Sequence, residues 1–110
     1  MNAAKPSGLV RKVHQELQRI IRSGDLCIDA TVGNGYDTLE LAKLAGRDGM
    51  IFGFDIQEMA LARTRKLVEQ DQCIASTKLF NACHSKLAEH IPPKLKKQIR
   101  VILFNLGYLP

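Results

Sequence analysis

Several things are missing from this chain, and each absence closes off a class of protein. No apolar stretch approaches the length needed to cross a bilayer, and the opening Met-Asn-Ala-Ala-Lys-Pro-Ser-Gly lacks the apolar core of a secretory leader. A cytoplasmic location with no membrane partner is therefore expected. No internal repeat or low-complexity tract appears, so solenoid and linker architectures are set aside. The three cysteines, Cys27, Cys73 and Cys83, form no Cys-x-x-Cys pair and are odd in number. That argues against a disulfide framework or a zinc site and for small buried thiols.

What is present is ordinary for a globular protein: 110 residues, 45% apolar and 25% charged. This length suits one domain over residues 1–110, with one core and no internal boundary. The net charge of +5 suits a polyanionic partner. Basic residues recur at Arg11, Lys12, Arg19 and Arg22, at Arg63, Arg65 and Lys66, and at Lys94, Lys96, Lys97 and Arg100. Such clusters fit phosphate contacts or solvated helix faces equally well, and charge alone does not choose.

Periodicity predicts the elements. Leu9, Val10, Val13, Leu17, Ile20 and Ile21 recur at helical spacing over residues 9–22, and Ser23-Gly24-Asp25 ends the helix. Leu26 to Ala30 reads as a buried strand. A second helix begins near Asp37, with Asp37 and Glu40 in a capping arrangement and Gly46 as its stop. Met50 to Phe54 is the next strand, ending at Asp55. Residues 58–70 form a helix with Met59, Leu61, Ala62, Leu67 and Val68 inward. A weaker strand at Thr77 to Phe80, a short helix at Ser85 to His90, a turn near Lys94 to Gln98 and a strand at Val101 to Phe104 follow. Helices alternating with buried strands indicate an α/β protein with a parallel sheet, whose ligands bind beyond the carboxyl ends of the strands.

Unusual residues gather at those ends. Asp29-Ala30-Thr31-Val32-Gly33-Asn34-Gly35 joins a strand to a helix, its glycines permitting a tight turn and close approach of a ligand. Asp55 lies 20 residues beyond Gly35, where a carboxylate accepts from ribose hydroxyls. A dinucleotide site calls for a third glycine at position 38, and Thr38 stands there. An acid opening the turn would also repel a pyrophosphate. The spacing of Asp29, Thr31, Gly33 and Gly35 instead follows the acid-x-Gly-x-Gly-x-Gly turn of methyltransferases, with Thr31 for the first glycine, and an acid there can engage the amino-acid portion of S-adenosylmethionine.

The stretches Asp29 to Thr38, Gly53-Phe-Asp-Ile-Gln57 and Phe104-Asn-Leu-Gly-Tyr-Leu-Pro110 closely resemble the bacterial family known as rRNA methylases, from about Gly24 to the last residue. The family includes an enzyme acting on an aminomethyl-thiouridine at the tRNA wobble position. The resemblance implies a Rossmann-like class I methyltransferase fold that uses S-adenosylmethionine to methylate RNA, in tRNA or rRNA. Carried over by position, Asp29, Thr31, Gly33, Asn34 and Gly35 surround the methionine moiety, with Asp37 and Thr38 beside them. Asp55 holds the ribose, while Ile56 and Gln57 line the adenosine pocket. Asn105 to Tyr108 match the catalytic loop, Asn105 accepting N–H hydrogens from an amine and Tyr108 stacking on the base.

The chain departs from the pattern twice. Cys83-His84-Ser85 stands where the family commonly has a Ser-His-Glu-like stretch, so His84 is retained on the cofactor side without its acid. The sequence also supplies only about four strands, the N-terminal half of the family's sheet. That leaves the fourth strand uncovered and open to self-association or homodimerisation. A non-catalytic fragment that binds S-adenosylmethionine or RNA is the alternative reading.

Overall fold

The computed structural model describes residues 8–70 and 75–104. Cys73, Asn105 and Tyr108 lie outside the described residues, as do the side chains of Leu9 and Val10. Helix α1 (Gly8–Ile20) leads into β1 (Leu26–Asp29), α2 (Tyr36–Ala45), β2 (Met50–Asp55), α3 (Glu58–Glu69) and β3 (Ser76–Asn81). A single 3-10 turn (His84–Lys86), two one-turn helices, α4 (Leu87–His90) and α5 (Pro93–Lys96), and β4 (Ile99–Leu103) complete the order. Among the described residues no helix is long and apolar enough to cross a membrane.

The strands form one parallel sheet in the order β3-β2-β1-β4. The chain winds outward from β1 through β2 to β3 and then returns across β1 to add β4. The switch in strand order therefore falls between β1 and β4, and a crevice opens at the carboxyl end of such a point. β1 is buried along its whole length, as its unbroken Leu-Cys-Ile-Asp pattern predicts for a strand covered on both faces. Alternation sends its residues to two cores. Cys27 joins Ile51, the α1 residues Leu17 and Ile21, and the α2 residues Leu41, Ala42 and Ala45. Leu26 and Ile28 join Phe52, Phe54 and Ile91 on the opposite face, where Leu87 and Leu95 also pack.

The predicted α/β order holds, and the differences are local. α2 begins at Tyr36 with Gly35, which has no side chain to offer, at the cap position. The expected pairing of Asp37 with Glu40 is replaced by tertiary bonds: His14 Nε2 lies 2.7 Å from Asp37 Oδ1, and Glu40 accepts from Gln18 at 3.4 Å. Both bonds tie α1 to α2. In α3 Leu61 is buried and Leu67 and Val68 are half-buried as expected, but Ala60 and Thr64 are buried with them, whereas Ala62 is exposed and Met59 is 75% exposed. Close approach to α2 selects the small residues Ala60 and Thr64 over the longer Met59. Ile20 likewise points outward.

β4 starts two residues earlier than expected, at Ile99, because the register slips between Leu26 and Cys27 and leaves Arg100 as the extra residue of a bulge. Its guanidinium is used there, donating from Nε to Asp25 Oδ2 at 3.1 Å. Among the described residues β4 is an edge strand, with Ile102 and Phe104 exposed.

Gly35 is required by packing. Its φ is +89°, and a Cβ there would sit 2.4 Å from Thr64 Oγ1 and 3.1 Å from Leu67 Cδ1. Gly33, at φ +57°, would meet only the Thr31 carbonyl oxygen at 3.9 Å. Gly35→Ala should therefore lower unfolding stability by about 2 kcal/mol or more, combining left-handed strain with overpacking. Gly33→Ala should cost only the backbone strain, ~1 kcal/mol. Urea unfolding of the two variants checks this, and equal losses would contradict the packing role of Gly35.

Candidate functional site

The site is built from the bottom by Asp29, which ends β1 and is fully buried. Thr38 Oγ1, on the first turn of α2, donates to its Oδ2 at 2.7 Å, and the Thr31 backbone N–H donates to Oδ1 at 3.1 Å. Asp29 and Thr38 thus form a peg beneath the turn. Burial pushes the Asp29 carboxyl up to about 6, against the pull of these two hydrogen bonds and with a further push from Asp37 and Asp55.

Above the peg, the turn is stitched to β2. Val32 N–H donates to the Phe54 carbonyl at 3.0 Å, and Gly33 N–H donates to Asp55 Oδ2 at 2.9 Å. The second Asp55 oxygen accepts from Gln57 N–H at 2.8 Å, which also turns the chain into α3. Asn81 reaches across from β3 to donate to the Asp55 carbonyl at 3.2 Å. A carboxylate oxygen has two lone pairs, so each Asp55 oxygen retains acceptor capacity after its backbone bond. Asn34 Oδ1 accepts from Tyr36 N–H at 3.2 Å and shapes the entry to α2.

A cleft of about 200 Å³ opens at the carboxyl ends of the strands, lined by Ala30, Thr31, Phe54, Asp55, Ile56, Ala82, Cys83 and His84. Of the residues expected from sequence, Thr31, Asp55, Ile56 and His84 meet there. Gly33 is exposed beside them, whereas Asp29, Gly35, Asp37 and Thr38 are buried behind the turn. Asn34 and Gln57 are exposed, and they act locally through the Asn34 side chain and the Gln57 backbone. The His84 ring meets Phe104 edge-on, with centroids 5.5 Å apart.

Sequence reasoning gave no site role to Phe54, and none to Ala30, Ala82 or Cys83 although they lie beside residues it singled out. Ala30 and Ala82 each follow the last residue of a strand, and small residues at strand ends were the available signal. Cys27 is buried as expected but Cys83 is exposed, and hydrogen bonding from Ser85, its side chain first and then its backbone N–H at 3.5 Å, draws the Cys83 thiol below its ordinary value.

A parallel β3-β2-β1-β4 sheet with helices on both faces, a glycine turn after β1 and an acid ending β2 define a Rossmann-like methyltransferase fold. Within that class the chain belongs to the family described as "Putative rRNA methylase", whose model matches residues 51–110. It is 40% identical over 108 residues to the "tRNA (mnm(5)s(2)U34)-methyltransferase, chloroplastic" of Arabidopsis thaliana, covering 88% of this chain and 38% of that protein. Among solved structures, a putative rRNA-methylase from Clostridium thermocellum superposes with a TM-score of 0.80 at 36% identity, over 98% of this chain and 55% of that one. SMU.1697c, a putative methyltransferase from Streptococcus mutans in complex with SAH, gives a TM-score of 0.74 at 33% identity, over 99% and 56%. The chain thus spans about half the length of these solved relatives and 38% of the curated one.

The raised Asp29 pKa has a stability consequence. A carboxyl that titrates higher folded than unfolded holds its proton more tightly in the native state, so folding is favoured at low pH and weakened as pH rises. The cost is absent below the ordinary value of 3.8, grows through the folded value of about 6 and is complete above it. Its upper bound is on the order of 3 kcal/mol. Asp29→Asn keeps the shape without the charge, so its stability relative to the wild type should rise between pH 4 and 7. Urea unfolding across that range tests this, and a pH-independent difference would remove the burial cost.

Proposed function

We propose that this chain forms the donor-binding part of an S-adenosylmethionine-dependent RNA methyltransferase. The observation that carries the reading is Asp55, held at the cleft by Gly33 and Gln57 N–H groups with acceptor capacity to spare. Three features of the site fit the donor. Asp55 accepts from the ribose hydroxyls, and Ile56, 70% exposed beside it, offers an apolar surface to the adenine. Gly33 leaves open space where a side chain would intrude. The relative solved with SAH, and the family's name, support the same ligand class.

When bound, the donor supplies a methyl group already made electrophilic by its sulfonium, so the protein's work is placement. Near-attack alignment of the acceptor is the main requirement. Asn105 and Tyr108, one and four positions after Phe104, are assigned the acceptor side. The Asn105 amide oxygen would accept an N–H hydrogen and aim the amine lone pair, while Tyr108 would stack on the base, a contact of ~1–3 kcal/mol in nucleic-acid sites. Desolvation of an alkyl amine favours its neutral, nucleophilic form. Buried Asp29, Asp37, Thr38 and Gly35 act as positioning residues that hold the turn. The finer substrate, an aminomethyl-uridine of tRNA, rests on the name of the Arabidopsis relative. The exposed β4 edge is the place where a further strand or a second copy would add.

Calorimetry with S-adenosylhomocysteine and with NAD tests the ligand class. The chain should bind the former and prefer it clearly to NAD, and tighter binding of NAD would overturn the assignment. Asp55→Ala should weaken S-adenosylhomocysteine binding by ~1–3 kcal/mol, the scale for unpairing buried hydroxyls. An unchanged affinity in a variant that still unfolds cooperatively would remove Asp55 from the site.

A further inference from the structure

The positive charge of this protein is not spread evenly. Through Asp71 the chain carries ten basic and ten acidic residues, and beyond it six basic and one acidic, so the whole excess of +5 lies in the last 39 positions. Five of those six cations, Lys86, Lys94, Lys96, Lys97 and Arg100, fall between His84 and Arg100, with Glu89 as the lone acid of that segment. The fold gives this segment one location. Leu87, Ile91 and Leu95, four residues apart, point into the core against Ile28, Phe52 and Phe54. That pins α4 and α5 to one face of the sheet and turns Lys86, Lys94, Lys96 and Lys97 to solvent.

The segment also has a direction. It starts at the cleft, which His84 lines, and ends where β4 begins, at the opposite end of the strands. β2, of six residues, spans that distance, roughly 20 Å. Arg100 there shares Asp25 with the Arg22 backbone N–H, so a second arginine stands beside the far end of the strip. The other basic clusters differ in place, although α1 with Arg22 carries four cations to one acid. α1 packs on the opposite face, where Arg19 lies 3.7 Å from Glu16, and α3 packs beside α2 with Glu58 and Glu69 at its two ends.

We propose that the exposed cations of Lys86, Lys94, Lys96 and Lys97 form a strip that binds the RNA phosphate backbone and leads it to the cleft, with Arg100, paired to Asp25, marking its far end. This rests on the reading of the protein as an RNA methyltransferase and adds where the RNA lies. Backbone contacts of this kind position a nucleic acid without reading its sequence, leaving choice of base to the cleft.

The test compares two charge-matched triple variants of the chain, Lys94→Gln/Lys96→Gln/Lys97→Gln on α5 and Arg63→Gln/Arg65→Gln/Lys66→Gln on α3. Each is titrated with unmodified bulk tRNA over a range of salt, and separately with S-adenosylhomocysteine. The α5 variant should lose about tenfold or more in tRNA affinity at low salt, with a log–log salt slope shallower by about two to three. Its S-adenosylhomocysteine affinity should stay within about twofold of the wild type, because no phosphate contact is involved. The α3 variant should keep wild-type tRNA affinity. An α5 variant that binds tRNA like the wild type, or an α3 variant that loses as much, would overturn the strip. A wild-type chain that binds S-adenosylhomocysteine but no tRNA would also overturn it while leaving the donor site standing. Strip-dependent tRNA binding without S-adenosylhomocysteine binding would keep the strip and refute the methyltransferase reading.

Discussion

The hydrogen bond from Gly33 N–H to Asp55 Oδ2 couples the turn after β1 to the end of β2, and the site depends on that coupling. Without it, the glycine turn would be a loop above β1, and Asp55 an acid at the end of the neighbouring strand. With it, the same carboxylate stitches two strands and faces the cleft. The bond is reinforced by Val32 N–H on the Phe54 carbonyl and by Gln57 N–H on the other carboxylate oxygen. Three backbone donors therefore fix the geometry before any ligand arrives, so little ordering entropy remains to be lost on binding.

Asp29 makes the opposite bargain. It is buried at a cost, and its two hydrogen bonds offset only part of that cost, as its raised titration point records. What the arrangement contributes is rigidity: Thr38 and Thr31 approach the carboxylate from the helix and from the turn. Helix α2 is held in register with β1 from beneath, while Gly35 lets α3 press against it from the side. Residues buried directly behind the cleft wall thus decide where the wall stands.

Much of this was legible in the sequence because it is written in short-range patterns. Parallel strands read as apolar runs, helices as three- and four-residue spacings, and strand ends as the acids Asp29 and Asp55. Thr38 breaks a dinucleotide fingerprint, and its bond to Asp29 supplies the reason for a hydroxyl there. The Asp37–Glu40 cap was misread because local spacing cannot see His14 and Gln18, which compete for the same side chains from 22 or 23 residues away. In α3 Met59 and Ala62 depart from the expected inward set for a similar reason: a close helix–helix contact favours Ala60 and Thr64 over the more hydrophobic Met59.

By itself the sequence determined the α/β alternation, the position of the turn and the acids that close the strands, since each depends on residues within a few positions of one another. Only the tertiary structure decided which of those residues face the cleft. Seven residues from Asp29 to Gly35 run past the same point, yet Asp29 and Gly35 are buried, Thr31 lines the cleft and Gly33 stays open beside it. The placement of β4 beside β1, of α3 against Gly35 and of the α4–α5 segment under Phe52 and Phe54 sorted them, and those contacts join parts of the chain that no local pattern connects.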